Sequence, residues 1–194
     1  MQLAVEDDEE EVISLVHVIV GKNCPFKESR TQDTGFYSIV TGGADPSDGN
    51  CYYRTVHREM AEEFKIATTD DDIEATTWFM HLGSPVFIVH VGDAVAAYDS
   101  VDDKIAASDD NISLVEEARS RVVATRADDT VPEILREMCD LALVPLSSFP
   151  LPDGTQLVAA NPSLPNDPSS PTPGWPTIPL TSLTVDVLAT VVGE

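Results

Sequence analysis

The first concentrated apolar stretch is Val12 to Val20 (VISLVHVIV), a β-branched run that predicts a buried strand. Gly35 to Val40 predicts a second strand, broken by Thr41-Gly42-Gly43, and Gly43 to Asn50 (GADPSDGN) reads as a turn-rich loop. From Cys51 to Lys65 the period becomes helical, with Tyr53, Val56, Met60 and Phe64 on one stripe. Trp78 to Leu82 and Val86 to Val91 flank Gly83-Ser84-Pro85 and predict a hairpin. Ser113 and Glu116 have capping-box spacing ahead of Val115, Ala118 and Val122, which predicts a helix to about Thr125. Thr130 and Glu133 repeat that signal for a shorter helix to about Cys139. Leu141 to Leu146 predicts a short strand. Thr181 to Val192 predicts a closing helix, with Thr184, Val185 and Val187 leaving a strand open. Strands interleave with helices, so the expected class is a layered α/β domain.

Punctuation divides the chain into residues 1–160 as one domain, 161–180 as a proline-rich linker or arm, and 181–194 as an element packing back on the domain. Seven of the 14 prolines fall between Asn161 and Pro179. Trp175 sits in that arm, where docking on its own domain is the expectation.

Charge changes the picture more than size does. The chain has 194 residues, 42% of them hydrophobic, which is enough for a core. It carries 34 acidic and 11 basic residues, a net −23. Direct nucleic-acid binding is disfavoured, because it needs basic groups to displace phosphate counterions. Divalent cations could still bridge clustered carboxylates to a phosphorylated ligand. No apolar run is long enough for a membrane span, so no membrane partner is expected. Glu6 to Glu11 are all acidic, which predicts no signal peptide. The three cysteines, Cys24, Cys51 and Cys139, are odd in number and lack a C-x-x-C, which argues against a disulfide framework and a structural zinc site. A reducing, cytoplasmic setting is the expectation. Four lysines against 20 aspartates, many in doublets such as Asp102-Asp103 and Asp128-Asp129, suggest a salt-adapted, halophilic surface.

The chemistry-bearing segment is Gly42 to Ile66, GGADPSDGNCYYRTVHREMAEEFKI. On a helix, Glu59, Glu62 and Glu63 lie at i, i+3 and i+4 and are expected to converge on one face. Carboxylates held together repel unless a cation sits among them, and a hard ion such as Mg²⁺ takes oxygen ligands and substrate phosphates. The same R-E-x-x-E-E spacing also occurs on ordinary solvated helix faces, with Arg58 and Glu62 as an i, i+4 pair.

This segment resembles the Nudix hydrolase family. Gly43 opens the family's box, Gly49 matches its loop glycine, and Arg58, Glu59, Met60, Glu62, Glu63 and Ile66 match its helical half. Leu143-Val144-Pro145-Leu146 looks like a late family strand. The resemblance implies a Nudix-like α/β/α sandwich around a mixed β-sheet. It also implies a metal-dependent hydrolase that splits the diphosphate linkage of a nucleoside diphosphate derivative. It implies Mg²⁺ or Mn²⁺ on Glu59, Glu62 and Glu63, Arg58 orienting the glutamates, and Gly42 and Gly43 at the substrate. The general base is left open between one of the helix glutamates and a carboxylate from a later loop, for which Glu137 and Asp140 are candidates. The sequence departs from the box at three places: the loop is one residue longer, Asn50 stands where the loop glutamate belongs, and Lys65 stands where a glycine ends the helix. Asp48 is the nearest substitute for that missing anion. The alternative function is a catalytically inactive Nudix-fold binding or structural and interaction protein. A homodimer is left open.

Relief of self-repulsion by salt is measurable. The thermal midpoint is expected to rise from low to molar KCl, as screening shortens the Debye length to about 3 Å. A flat or falling curve would reject the salt-adapted reading.

Overall fold

The computed structural model describes residues 17–25, 33–74, 78–92, 101–152, 154–160 and 176–193. Positions 12–16 of the first expected strand and 161–175 of the arm, with Trp175, lie outside the described residues.

Seven strands and three α-helices are described. β1 (His17–Asn23) is central in a three-stranded sheet of order β2-β1-β5, between β2 (Tyr37–Ser38) and β5 (Met138–Pro145). Both pairings are antiparallel. β3 (Phe79–His81) pairs with β4 (Ser84–Val86), and β6 (Leu157–Ala159) with β7 (Thr177–Pro179), again antiparallel. One parallel bridge, Tyr37 to Leu180, and the Thr181 amide on the Tyr37 carbonyl tie the β6–β7 ribbon to β2. The chain is thus broadly α/β. The expected mixed sheet is antiparallel in every named pair, with parallel geometry confined to that bridge.

Alternation along β1 and β5 sends side chains to two cores. Val18, Val20, Ala142 and Val144 face one core with Tyr37, Phe149, Val158, Ile178, Leu180 and Leu188. Ile19, Met138 and Leu141 face the other, with Met60, Phe64, Ile66, Ala118 and Val122. Helix α3 (Ser182–Gly193) covers the first core through Leu188. Helix α1 (Tyr52–Glu59), its continuation to Phe64, and helix α2 (Val101–Ala127) cover the second. A Cβ on Gly21 would stand 2.7 Å from both Met138 Sδ and Phe64 Cε1, so glycine in β1 lets the helix and β5 meet.

The structure corrects four boundaries. The helix expected from Ser113 begins at Val101, so Ser113 and Glu116 lie mid-helix, where backbone amides already have helical partners. Val115, Ala118 and Val122 are buried, as the stripe implies. Thr130 and Glu133 precede only a 3₁₀ turn, Glu133–Leu135, because Met138 and Cys139 are taken into β5. The hairpin turns at Leu82-Gly83, both at positive φ, and Ser84 and Pro85 already belong to β4. The expected arm ends early: Thr177–Pro179 is a strand, and Ile178 and Leu180 are buried in the first core. Ordinary strand pairing explains this, since Pro179 sits at the end of β7.

The cysteine expectation is also corrected. Register between β1 and β5 brings Cys24 beside Cys139, with Cα atoms 5.6 Å apart, and the two form a disulfide, while Cys51 is free and exposed. A pair separated by 115 residues has no local spacing signature. The odd count therefore no longer supports a reducing compartment. No helix among the described residues is long and apolar enough to cross a membrane.

Leu180 is fully buried at the join between the ribbon and β2. Leu180→Ala is expected to cost about 2–5 kcal/mol, read from the denaturant midpoint. A cost under about 1 kcal/mol would mean that the C-terminal element is merely docked on the domain.

Candidate functional site

The site is built by a loop folding back on a helix. Asp45 caps a single 3₁₀ turn, Pro46–Asp48, whose Asp48 carboxylate returns to the Asp45 amide at 2.8 Å. Gly49 and Asn50 follow at φ 63° and 61°, two left-handed residues that reverse the chain into α1. Glycine and asparagine are the residues that tolerate this region. Asn50 therefore serves the turn and supplies no anion.

Asp48 takes the anionic role. It is buried, accepts from the Thr55 hydroxyl at 2.9 Å, and accepts from Arg58 Nε at 3.3 Å and Nη2 at 3.1 Å. Chiefly through the Arg58 hydrogen bonds, then the Asp45 amide, its carboxyl is pulled down to about 2. Arg58 also donates to the Gly43 carbonyl at 2.8 Å, to Glu62 at 3.2 Å and to Glu59 at 2.8 Å. Its guanidinium is held in the charged form, first by Asp48.

Gly42 packs directly on Glu59. A Cβ there would lie 1.9 Å from the Glu59 carboxyl carbon. Glu59 is buried, and burial raises its pKa; Glu62 and Glu137 add to the rise while Arg58 opposes it. Glu137, reached from the start of β5, thus shares an electrostatic environment with Glu59. It also lines a cleft of about 290 Å³ with Asn23, Asp33, Ser38, Thr41 and Thr181. Asp140 is placed otherwise: it accepts from Arg119 at 2.6 Å and from the Tyr37 hydroxyl, whose pKa rises to about 12 chiefly through burial. Asp140 is thus engaged by Arg119 and Tyr37, whereas Glu137 faces the cleft.

After Glu59 the helix widens into a π-turn, Met60–Phe64, closed by Lys65 at φ 59°. Bonds to the fifth residue shift the spacing assumed for an α-helix. Met60, Glu63 and Phe64 are buried, whereas Glu62 stays at the rim with Arg58. Glu59 and Glu62 share Arg58, and Glu63 turns inward. Among the described residues, no three His, Cys, Asp or Glu side chains form a group able to hold a metal ion. The donors therefore do not make a protein cage. A hydrated Mg²⁺, which binds through one or two carboxylates and completes its shell with water and phosphate, is the form of ion such a donor set could take. Glu62 and Glu137 repel the buried Glu59 carboxylate, and Arg58 is the cation that already relieves it.

The motif exposed Arg58 and the glutamates in the sequence. The Asp48–Thr55 contact was hidden, because a seven-residue spacing across a turn carries no periodic signature. No family model, no curated protein and no solved structure matches the chain.

The depressed Asp48 pKa gives a signed pH dependence. Its contribution to stability is complete above its ordinary value of 3.8 and is lost as pH falls through about 2. Asp48→Asn is expected to flatten the stability profile between about pH 4 and pH 2 relative to wild type. Parallel profiles in urea would show that the Arg58 contacts add nothing.

Proposed function

We propose that this chain is a Nudix-like, metal-dependent hydrolase of the diphosphate linkage in a nucleoside diphosphate derivative. One observation carries the reading: Arg58 gathers Asp48, Glu59, Glu62 and the Gly43 carbonyl, joining a glycine loop to a glutamate helix. The resemblance of Gly43 to Ile66 to the Nudix box supports it, as does sheet packing with helices on both faces. Under this reading the fold is a Nudix-like α/β/α sandwich. Gly42 and Gly43, both exposed, would offer backbone amides to the diphosphate. The resemblance points to Glu59, Glu62 and Glu63 for Mg²⁺ or Mn²⁺, of which one or two would bind a hydrated ion at a time. The bound ion would neutralise phosphate charge and acidify its water. Glu137 would accept the proton from the attacking water. Arg58 positions the carboxylates and does no proton transfer.

A second reading, a binding module without turnover, is favoured by the absence of a three-ligand cluster among the described residues. One experiment separates them. Glu63→Gln and Glu62→Gln keep size and helix propensity and remove an anion. Titration of Mn²⁺ into each, alongside hydrolysis of a panel of nucleoside diphosphate sugars and dinucleotides, should show weaker metal binding. It should also show turnover reduced by orders of magnitude, with melting unchanged or higher. Equal Mn²⁺ affinity in wild type and Glu63→Gln would defeat the hydrolase. Metal-dependent nucleotide binding without wild-type turnover would establish the binding module.

A further inference from the structure

The helix that carries Arg58 and Glu59 begins with an aromatic cluster that the proposed chemistry leaves unused. Tyr52, the first residue of α1, is 57% exposed, and Trp78, just before β3, is 52% exposed. Both surround Phe87: Tyr52 lies tilted at 6.4 Å, Trp78 stacks at 6.4 Å, and Tyr53 meets it edge-on at 5.7 Å. Such rings are normally buried for their area. Here the cluster is assembled, with Phe87 in the middle, yet two of its members keep half their surface in water. Met80 and Leu82 extend the apolar surface along the hairpin.

Position selects the occupant. Tyr52 and Glu59 stand seven positions apart on α1, about two turns, so the two lie on nearly the same face roughly 10 Å apart along the axis. An aromatic surface and a carboxylate site in line on one helix face suit a ligand with a flat ring at one end and phosphate at the other. Every nucleobase offers a π-face to such rings, and stacking needs no matched hydrogen bonds. It also needs no positive charge, of which this chain has little: 11 basic residues against 34 acidic. We propose that Tyr52 and Trp78, braced by Phe87, form the platform on which the base of the nucleotide stacks. The inference rests on the nucleotide reading of the neighbouring site and names the half of the ligand that the glutamates do not touch.

The test uses nucleoside monophosphates, which contain no diphosphate to hydrolyse, so an inactive metal site does not mask the result. In the full-length chain, Trp175→Phe leaves Trp78 as the single tryptophan of the two in the sequence. Its fluorescence is titrated with AMP, GMP, CMP and UMP, and with ribose 5-phosphate, which has the phosphate but no base. At least one nucleotide should quench and saturate where ribose 5-phosphate does not. By calorimetry, Tyr52→Ala and Trp78→Ala should each weaken that nucleotide about tenfold, and Trp78→Phe should restore most of the affinity. Tyr52 is exposed, so its variant carries the test should Trp78→Ala fail to fold. Nucleotides that bind no better than ribose 5-phosphate would overturn the proposal. So would unchanged affinity in both alanine variants with normal melting. Concentration-dependent dimers that Trp78→Glu dissociates, with no quenching by any nucleotide, would assign the patch to a second copy of this chain instead. Failure of hydrolysis with base binding intact would refute the enzyme reading alone.

Discussion

One guanidinium organises the glycine loop and the glutamate helix. Arg58 is a quarter exposed and contacts three carboxylates and a backbone carbonyl from two segments. Its planar fork can serve several acceptors at once in fixed directions, which a lysine could not do. Asp48 could not remain a buried anion without it, because removing one partner of a buried ion pair leaves an uncompensated charge. Glu59 and Glu62 would then repel each other with less to restrain them. The arrangement is costly in a chain of net charge −23, where any added negative charge is disfavoured. Placing the cation at the centre of the carboxylates, rather than on the surface, makes one arginine offset several anions.

The sheet fixes where this cluster stands. β1 and β5 separate two cores, and the helix that carries Arg58 and Glu59 is anchored in only one of them, through Met60 and Phe64. Gly21 matters here because its missing side chain admits Phe64 and Met138 to the same spot. That contact couples the end of the glutamate segment to the start of β5, one residue after Glu137. The proximity of Glu137 to Glu59 thus follows from packing in the second core. The other core, closed by β7 and α3, stabilises the sheet without touching the carboxylates.

Much of this was legible in the sequence wherever one periodicity dominated. Met60 and Phe64 fall on the buried stripe that the helical pattern marked, and His17 to Val20, the described end of the apolar run, lies in the central strand. Three kinds of feature were not legible. Long-range register was one: the approach of Cys24 to Cys139 and of Tyr37 to Leu180 depends on strand pairing that no local pattern encodes. Competition between local signals was another. Ser113 and Glu116 have the residues of a cap, but a helix already under way from Val101 satisfies their amides. Proline density was the third, since it marks what cannot be a central strand and says little about a short edge strand such as Thr177–Pro179. At the site, the missing loop glutamate drew attention to Asn50. The sequence offered Asp48, two residues earlier, as the substitute anion, but its bonds to Arg58 and Thr55 exist only in the folded turn.

The last departure from the box has its own logic. A lysine in the left-handed region costs on the order of 1 kcal/mol relative to glycine. Lys65 adopts it nonetheless, and its Nζ donates to the Glu62 carbonyl at 2.6 Å and the Leu135 carbonyl at 3.2 Å. The π-turn explains why those bonds are useful. The Met60 carbonyl accepts the amides of both Lys65 and Ile66, so later carbonyls of the turn need other donors. A glycine would relieve the backbone and leave the Glu62 carbonyl without that side-chain donor. Lysine closes the turn and, through Leu135, ties it to the segment that leads into Glu137. The residue that weakens the sequence match therefore strengthens the link between the glutamate helix and the segment that leads into Glu137.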